Sequence, residues 1–174
     1  MERNQSMETV TDLQAFLDGK PTPFPNFKAG EICTLRKAPG QPHCVPPRSL
    51  WPNIIGALFL AQAMRNTMGV PLTVASGYRP ADYNAAVGGT PRSAHVDFKA
   101  LDLDLPNGSS VAMQKRYYLE ACRMYLNLGP SWKMGLGLYH ADHGTRIHVD
   151  TGKGWRYWKP GYVRPILESL RGEK

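Results

Sequence analysis

Apolar residues recur at helical spacing across residues 49–68, where Trp51, Ile54, Ile55, Leu58, Ala61 and Met68 share one face. The spacing predicts a helix there, with Ser49 as its N-cap, Pro52 in its first turn and Gly69 as its terminator. Residues 71–75 read as a strand that runs into the turn Ser76-Gly77-Tyr78-Arg79-Pro80, and residues 81–87 as a short helix stopped by Gly88-Gly89. Leu101-Asp102-Leu103-Asp104-Leu105 alternates strictly. That period predicts a strand with buried leucines and with Asp102 and Asp104 together on the opposite face. Residues 111–128 predict a second long helix, capped by Ser109 or Ser110, with Tyr118, Ala121, Cys122 and Tyr125 facing inward. Residues 133–139 and 145–150 predict two more strands around a loop. The aromatic segment Trp155, Tyr157, Trp158 then leads to a short C-terminal helix.

This order of elements predicts an α+β domain with a small, mostly antiparallel sheet flanked by helices. Residues 1–47 predict something different. Prolines at 21, 23, 25, 39, 42, 46 and 47 break up long elements, leaving room for one short helix near residues 10–17. The expected organisation is an irregular N-terminal arm, 1–47, packed on a domain, 48–174.

Composition narrows the class. The chain has 174 residues, 42% hydrophobic and 20% charged, a balance suited to one globular domain. No apolar stretch is long enough to span a bilayer, and no apolar run follows Met1-Glu2-Arg3-Asn4-Gln5 as a secretion signal requires. Three cysteines do not make a disulfide scaffold of this length; Cys33 and Cys44 are equally readable as a pair or as packed thiols. The net charge of +7 suits an acidic partner, whether nucleic acid, an anionic membrane surface or the bacterial cell wall, and does not by itself choose among them; no nucleic-acid recognition motif accompanies it. No nucleic-acid partner is expected, and the expected state is a monomer.

The candidate chemistry lies in three residues. His95 and Asp102 are close in sequence, and Asp102 and His148 each fall on the polar face of a predicted strand. Two imidazoles and one carboxylate can make a three-ligand zinc site with one open position. A solvated sheet face is the alternative reading of the same residues. Other chemistries lack their motifs: there is no Gly-x-Ser-x-Gly elbow and no phosphate-binding glycine loop.

The surrounding residues carry a resemblance. Ser76-Gly77-Tyr78-Arg79, Tyr83-Asn84, Gly88-Gly89, Ser93-Ala94-His95, Ala100-Leu101-Asp102, Gly135-Leu136-Gly137-Leu138-Tyr139 and His148-Val149-Asp150-Thr151-Gly152 follow one another in that order. Over roughly residues 48–158 the chain resembles the zinc D-Ala-D-Ala peptidases, a family of carboxypeptidases, murein endopeptidases and phage endolysins with a Hedgehog-type fold. The resemblance implies one zinc ion per chain, held by His95, Asp102 and His148. It implies a peptidase acting on peptidoglycan peptides in the periplasm or cell wall, as a phage lysin or virion-associated enzyme if no secretion signal is used. It further implies that Arg79 grips a substrate carboxylate or carbonyl. Ser93 is a candidate for substrate binding or for support of the metal site, or else a turn cap.

Two positions depart from the family pattern. Phe98 stands where members usually have Gly, and Thr145 where many have Glu or Asp. The second departure leaves the general base open among His143, Asp142 and Asp150. His143 is preferred, because some relatives place a histidine in that loop. Asp150 is alternatively a group that orients a ligand or Arg79. A catalytically inactive zinc domain that binds the wall or a protein partner is the competing reading.

Overall fold

The computed structural model describes residues 8–20, 24–36, 43–139, 145–158 and 160–172. In chain order they form α1 (Val10–Asp18), α2 (Ala29–Ile32), α3 (Ile55–Met68), β1 (Thr73–Ser76), α4 (Ala81–Ala86), β2 (Ala100–Asp104), α5 (Val111–Leu128), β3 (Gly135–Tyr139), β4 (Arg146–Asp150), β5 (Arg156–Trp158) and α6 (Pro160–Gly172). The strands make one sheet in the order β1-β2-β4-β3-β5. All pairings are antiparallel except β3 with β5, so the α+β, mostly antiparallel architecture is the one that forms.

Strand alternation divides the sheet cleanly. Leu101, Leu103, Leu136, Leu138, Ile147 and Val149 are fully buried on one face, under α3, α5 and α6. The opposite face carries three polar rungs. Thr73, Asp104, Arg146 and Tyr139 align in one; Ser76, Asp102, His148, Gly137 and Trp158 in the next; Ala100, Asp150, Gly135 and Arg156 in the third. One extra residue on β1, between Val74 and Ser76, shifts the register as a β-bulge and brings Ser76 opposite Asp102.

Helix α5 matches its expected bounds, with Ser110 Oγ accepting from the Met113 N–H at 3.2 Å and Gly129 ending it at φ 64°. Tyr117 joins the inward face, its hydroxyl donating to the Leu103 carbonyl at 3.0 Å. The helix expected over residues 49–68 is divided. Arg48–Ile54 is a 3₁₀ segment and only Ile55–Met68 is α-helical. Pro52 offers no N–H and crowds the preceding turn, which favours the tighter winding there. Ser49 therefore lies inside the 3₁₀ segment and makes no cap; the chain enters through Pro47.

In the N-terminal region α1 is capped by a reciprocal Thr9–Asp12 pair. Leu13, Leu17, Phe27, Ala29 and Ile32 are buried in the same apolar cluster as the sheet leucines. Cys33 and Cys44 are thiols on neighbouring backbone, the Cys44 N–H donating to the Cys33 carbonyl at 2.9 Å. Burial pushes the Cys33 thiol up to about 12, far from a reactive thiolate.

Candidate metal centre

The middle rung places Asp102 directly across from His148. His95 reaches the same point from the loop before β2. The Phe98 N–H closes a tight turn by donating to the His95 carbonyl at 3.2 Å, and the Arg79 N–H, from the segment after β1, donates to the same carbonyl at 3.2 Å. Phe98 takes a left-handed backbone, φ 54°, in that turn. This is the conformation glycine adopts without steric cost and other residues adopt at roughly 1–3 kcal/mol. Complete burial of the Phe98 ring, edge-on to Tyr78 at 5.8 Å, offsets the strain. The turn thus keeps a glycine-like backbone although its residue is bulky.

His95 Nε2, Asp102 Oδ1 and His148 Nδ1 form a small triangle with sides of 3.3, 3.1 and 2.8 Å. Metal–ligand bonds of about 2.0–2.1 Å in a tetrahedron separate neighbouring ligand atoms by roughly 3.3 Å. The triangle has nearly that size. The other ring nitrogens are engaged. His95 Nδ1 lies 2.7 Å from the Gly77 carbonyl, which can only accept, so that nitrogen carries the proton and Nε2 presents a lone pair. His148 Nε2 lies 3.0 Å from Asp150 Oδ2, which directs its Nδ1 toward the triangle in the same way. Three such atoms at this separation can share one cation, a metal ion or, in its absence, the proton of His148.

The electrostatics agree. Burial pushes the His95 imidazole below its ordinary pKa, against the pull of Asp102. Burial opposes charge on His148 too, but its hydrogen bonds to Asp102 and Asp150 outweigh that and raise its pKa. Burial likewise works against the Asp102 carboxylate, yet the two imidazoles beside it hold it well below the usual range.

Each ligand is braced from behind. Arg79 donates from Nη2 to Asp102 Oδ2 at 2.6 Å and from Nε to Ser76 Oγ at 2.7 Å. Arg156 donates from Nη2 to Asp150 Oδ2 at 2.8 Å. Trp158 packs edge-on to the His148 ring at 4.6 Å and donates from Nε1 to the Tyr139 hydroxyl at 2.9 Å. Gly135 and Gly137 make this possible: a Cβ at either would collide with the Asp150 carboxylate or the Trp158 indole.

A cleft of about 730 Å³ opens over this face, and Arg79, Ser93, His95, Asp102 and His148 all line it. Ser93 also caps its turn, its Oγ accepting from the His95 N–H at 3.3 Å. Asp150 is fully buried behind His148, with Oδ2 shared between His148 and Arg156. Asp104 is held bidentately by Arg146 at 2.6 and 2.8 Å, one rung away. His143 and Asp142 lie outside the described residues. The flanking Tyr139 and Arg146 line the cleft. Arg156 and Trp158 belong to this site although the aromatic segment at 155–158 carried no functional expectation. Alternation along β5 decides otherwise, turning Arg156 and Trp158 to the polar face while Tyr157 packs on the apolar cluster. A basic residue and an aromatic two apart on a predicted strand were the available cue.

The family model for Peptidase M15 matches residues 25–129 of this chain, more than half of its length and including His95 and Asp102. The chain belongs to the M15 peptidase family. This is the family of zinc D-Ala-D-Ala peptidases that the motif order resembles. No curated protein matches the chain. M15 peptidases are metallopeptidases, and among the described residues His95, Asp102 and His148 are the group able to hold a metal ion. His148 lies beyond the matched span and enters the M15 site through the β2–β4 pairing. No helix among the described residues is long and apolar enough to cross a membrane.

Proposed function

We propose that this M15 peptidase is a zinc enzyme that hydrolyses peptide bonds of bacterial peptidoglycan, in stem peptides or cross-links, acting at the cell wall. The observation that carries this is the His95–Asp102–His148 triangle with each histidine's second nitrogen already bound. Bound there, zinc would polarise the scissile carbonyl and acidify a water.

The protein's own groups do the rest. Asp150 and the Gly77 carbonyl hold the two imidazoles in the tautomers that ligation needs. Arg79 spends Nε and one Nη2 hydrogen on Ser76 and Asp102, and its further N–H donors serve the substrate carbonyl or carboxylate in the cleft. Asp150 is enclosed by His148 and Arg156, which suits an orienting role. We assign the general base to His143, which takes a proton from the attacking water and returns it to the leaving amine.

One observation favours the competing reading of a binding domain. Among the described residues the cleft has a single lining carboxylate, Asp102, and that one is a ligand. The test is metal analysis of the purified protein, paired with muropeptide digestion with and without chelator. One zinc per chain and chelator-sensitive cleavage support the enzyme. One zinc without cleavage supports the binding domain, and absence of zinc after metal-replete purification overturns both.

A further inference from the structure

Among the described residues the cleft is lined by five arginines, Arg36, Arg79, Arg92, Arg146 and Arg156, against one carboxylate, that of Asp102. Three are committed to aspartates: Arg79 to Asp102, Arg146 to Asp104 and Arg156 to Asp150. Arg36 and Arg92 are not. Arg36 donates to the Val74 carbonyl at 2.9 Å, and among the described residues no carboxylate pairs with either. Both are exposed.

Their placement relative to the rungs is informative. Val74 pairs with Leu103, beside the Asp104–Arg146 rung, so Arg36 is anchored at that end of the cleft. Arg92 belongs to the other end. Its carbonyl accepts from Lys153, and Lys153 follows closely on Asp150, whose rung holds Arg156. The metal triangle lies between the two. The two outer rungs sit at Asp104 and Ala100 on β2, four residues apart, or roughly 13 Å. That is the length of about four residues of extended peptide.

We propose that Arg36 and Arg92 are specificity-determining residues that select peptides carrying a carboxylate on each side of the scissile bond. The proposal rests on the peptidase reading for the class of ligand, a peptide. A guanidinium already held by one hydrogen bond, as Arg36 is, loses less conformational freedom when it closes on a carboxylate. Neutral peptides forgo both contacts and leave the cationic ends uncompensated.

The test is calorimetric binding, so it does not depend on turnover. The probe is the peptidoglycan pentapeptide L-Ala-γ-D-Glu-meso-diaminopimelate-D-Ala-D-Ala, compared with analogues in which the D-Glu α-carboxylate or the C-terminal carboxylate is an amide. The unaltered chain, kept metal-free with chelator so that the peptide is not turned over, is expected to bind the acid about tenfold more tightly than either amide, with a preference that shrinks as salt is raised. Arg36→Gln is expected to lose the discrimination at one carboxylate and keep it at the other; Arg92→Gln is expected to do the reverse. Equal affinity for acid and amides in the unaltered chain overturns the proposal, as does unchanged discrimination in both variants. Absence of binding by the pentapeptide also overturns it. Should a variant fail to fold, the acid–amide comparison on the unaltered chain decides alone. Arginine-dependent binding by the metal-free chain, without cleavage by the zinc-loaded one, would leave this proposal standing and count against the hydrolytic reading.

Discussion

Asp102 and His148 face each other across the β2–β4 ladder, with His148 Nδ1 2.8 Å from Asp102 Oδ1. Strands distant in sequence thereby supply two of the three side chains able to hold a metal ion, at fixed spacing, and His95 completes the group from a buried turn. A sheet rung is a stiff platform, so the triangle is set by backbone hydrogen bonding as much as by side-chain packing.

Removing a ligand and removing the base should separate. His148→Ala is expected to abolish both zinc and activity. His143→Ala is expected to keep one zinc per chain while slowing turnover by about 10²–10⁴-fold. Metal analysis beside a muropeptide assay reads both effects. Full activity in His143→Ala would move the base to Asp142 or Asp150.

The metal-free protein should be most stable near neutrality. The folded pKa of His148 is raised, so its contribution is complete below the unfolded value of about 6.5 and is lost as pH rises through the folded one. The folded pKa of His95 is lowered, so its contribution is present above about 6.5 and declines as pH falls below that. Asp102 is held well below its usual range, so its contribution is present above about 3.9 and is lost as pH falls through the folded value. Zinc competes with the His148 proton and should remove the alkaline decline. Thermal melts of metal-free and zinc-loaded protein between pH 5 and 9 test this; a flat metal-free profile above pH 6.5 would contradict it.

Asp150 and Arg156 act on the metal through His148. Asp150→Asn keeps the shape but weakens the acceptor that orients the ring, and Arg156→Met frees Asp150 from its cation. Each is expected to lower zinc affinity by about 10–100-fold. Competition against a chromogenic chelator measures that loss, and unchanged affinity in both variants would refute the positioning role.

Phe98→Gly sets two effects against each other. It relieves a left-handed backbone worth roughly 1–3 kcal/mol and removes a fully buried ring whose truncation costs about 3–5 kcal/mol. A net destabilisation of about 2 kcal/mol is expected, read from denaturant midpoints. Phe98→Ala keeps the strain as well as losing the ring, so it should be the less stable of the two.

Much of the architecture was legible in local pattern. Strict alternation at 101–105 and the helical period at 111–128 reappear as β2 and α5, because periodicity reports directly which face of an element is buried. The division of residues 49–68 into 3₁₀ and α segments was less legible, since apolar spacing does not register the missing N–H of Pro52. His95, Asp102 and His148 were identifiable as ligand types in a familiar order. Their convergence needed the register of β2 on β4.

The sequence by itself determined the strand at 101–105, the helix at 111–128 and the buried faces of both, because these follow from short-range period, and its motif order pointed to three side chains able to hold a metal ion. Only the tertiary structure decided which groups stand behind them. Arg156 reaches Asp150, and Trp158 reaches His148, through a parallel β3–β5 pairing that Gly135 and Gly137 leave room for. Pairing partners and register are long-range choices, settled by how all the apolar faces close over one core, and no local pattern encodes them.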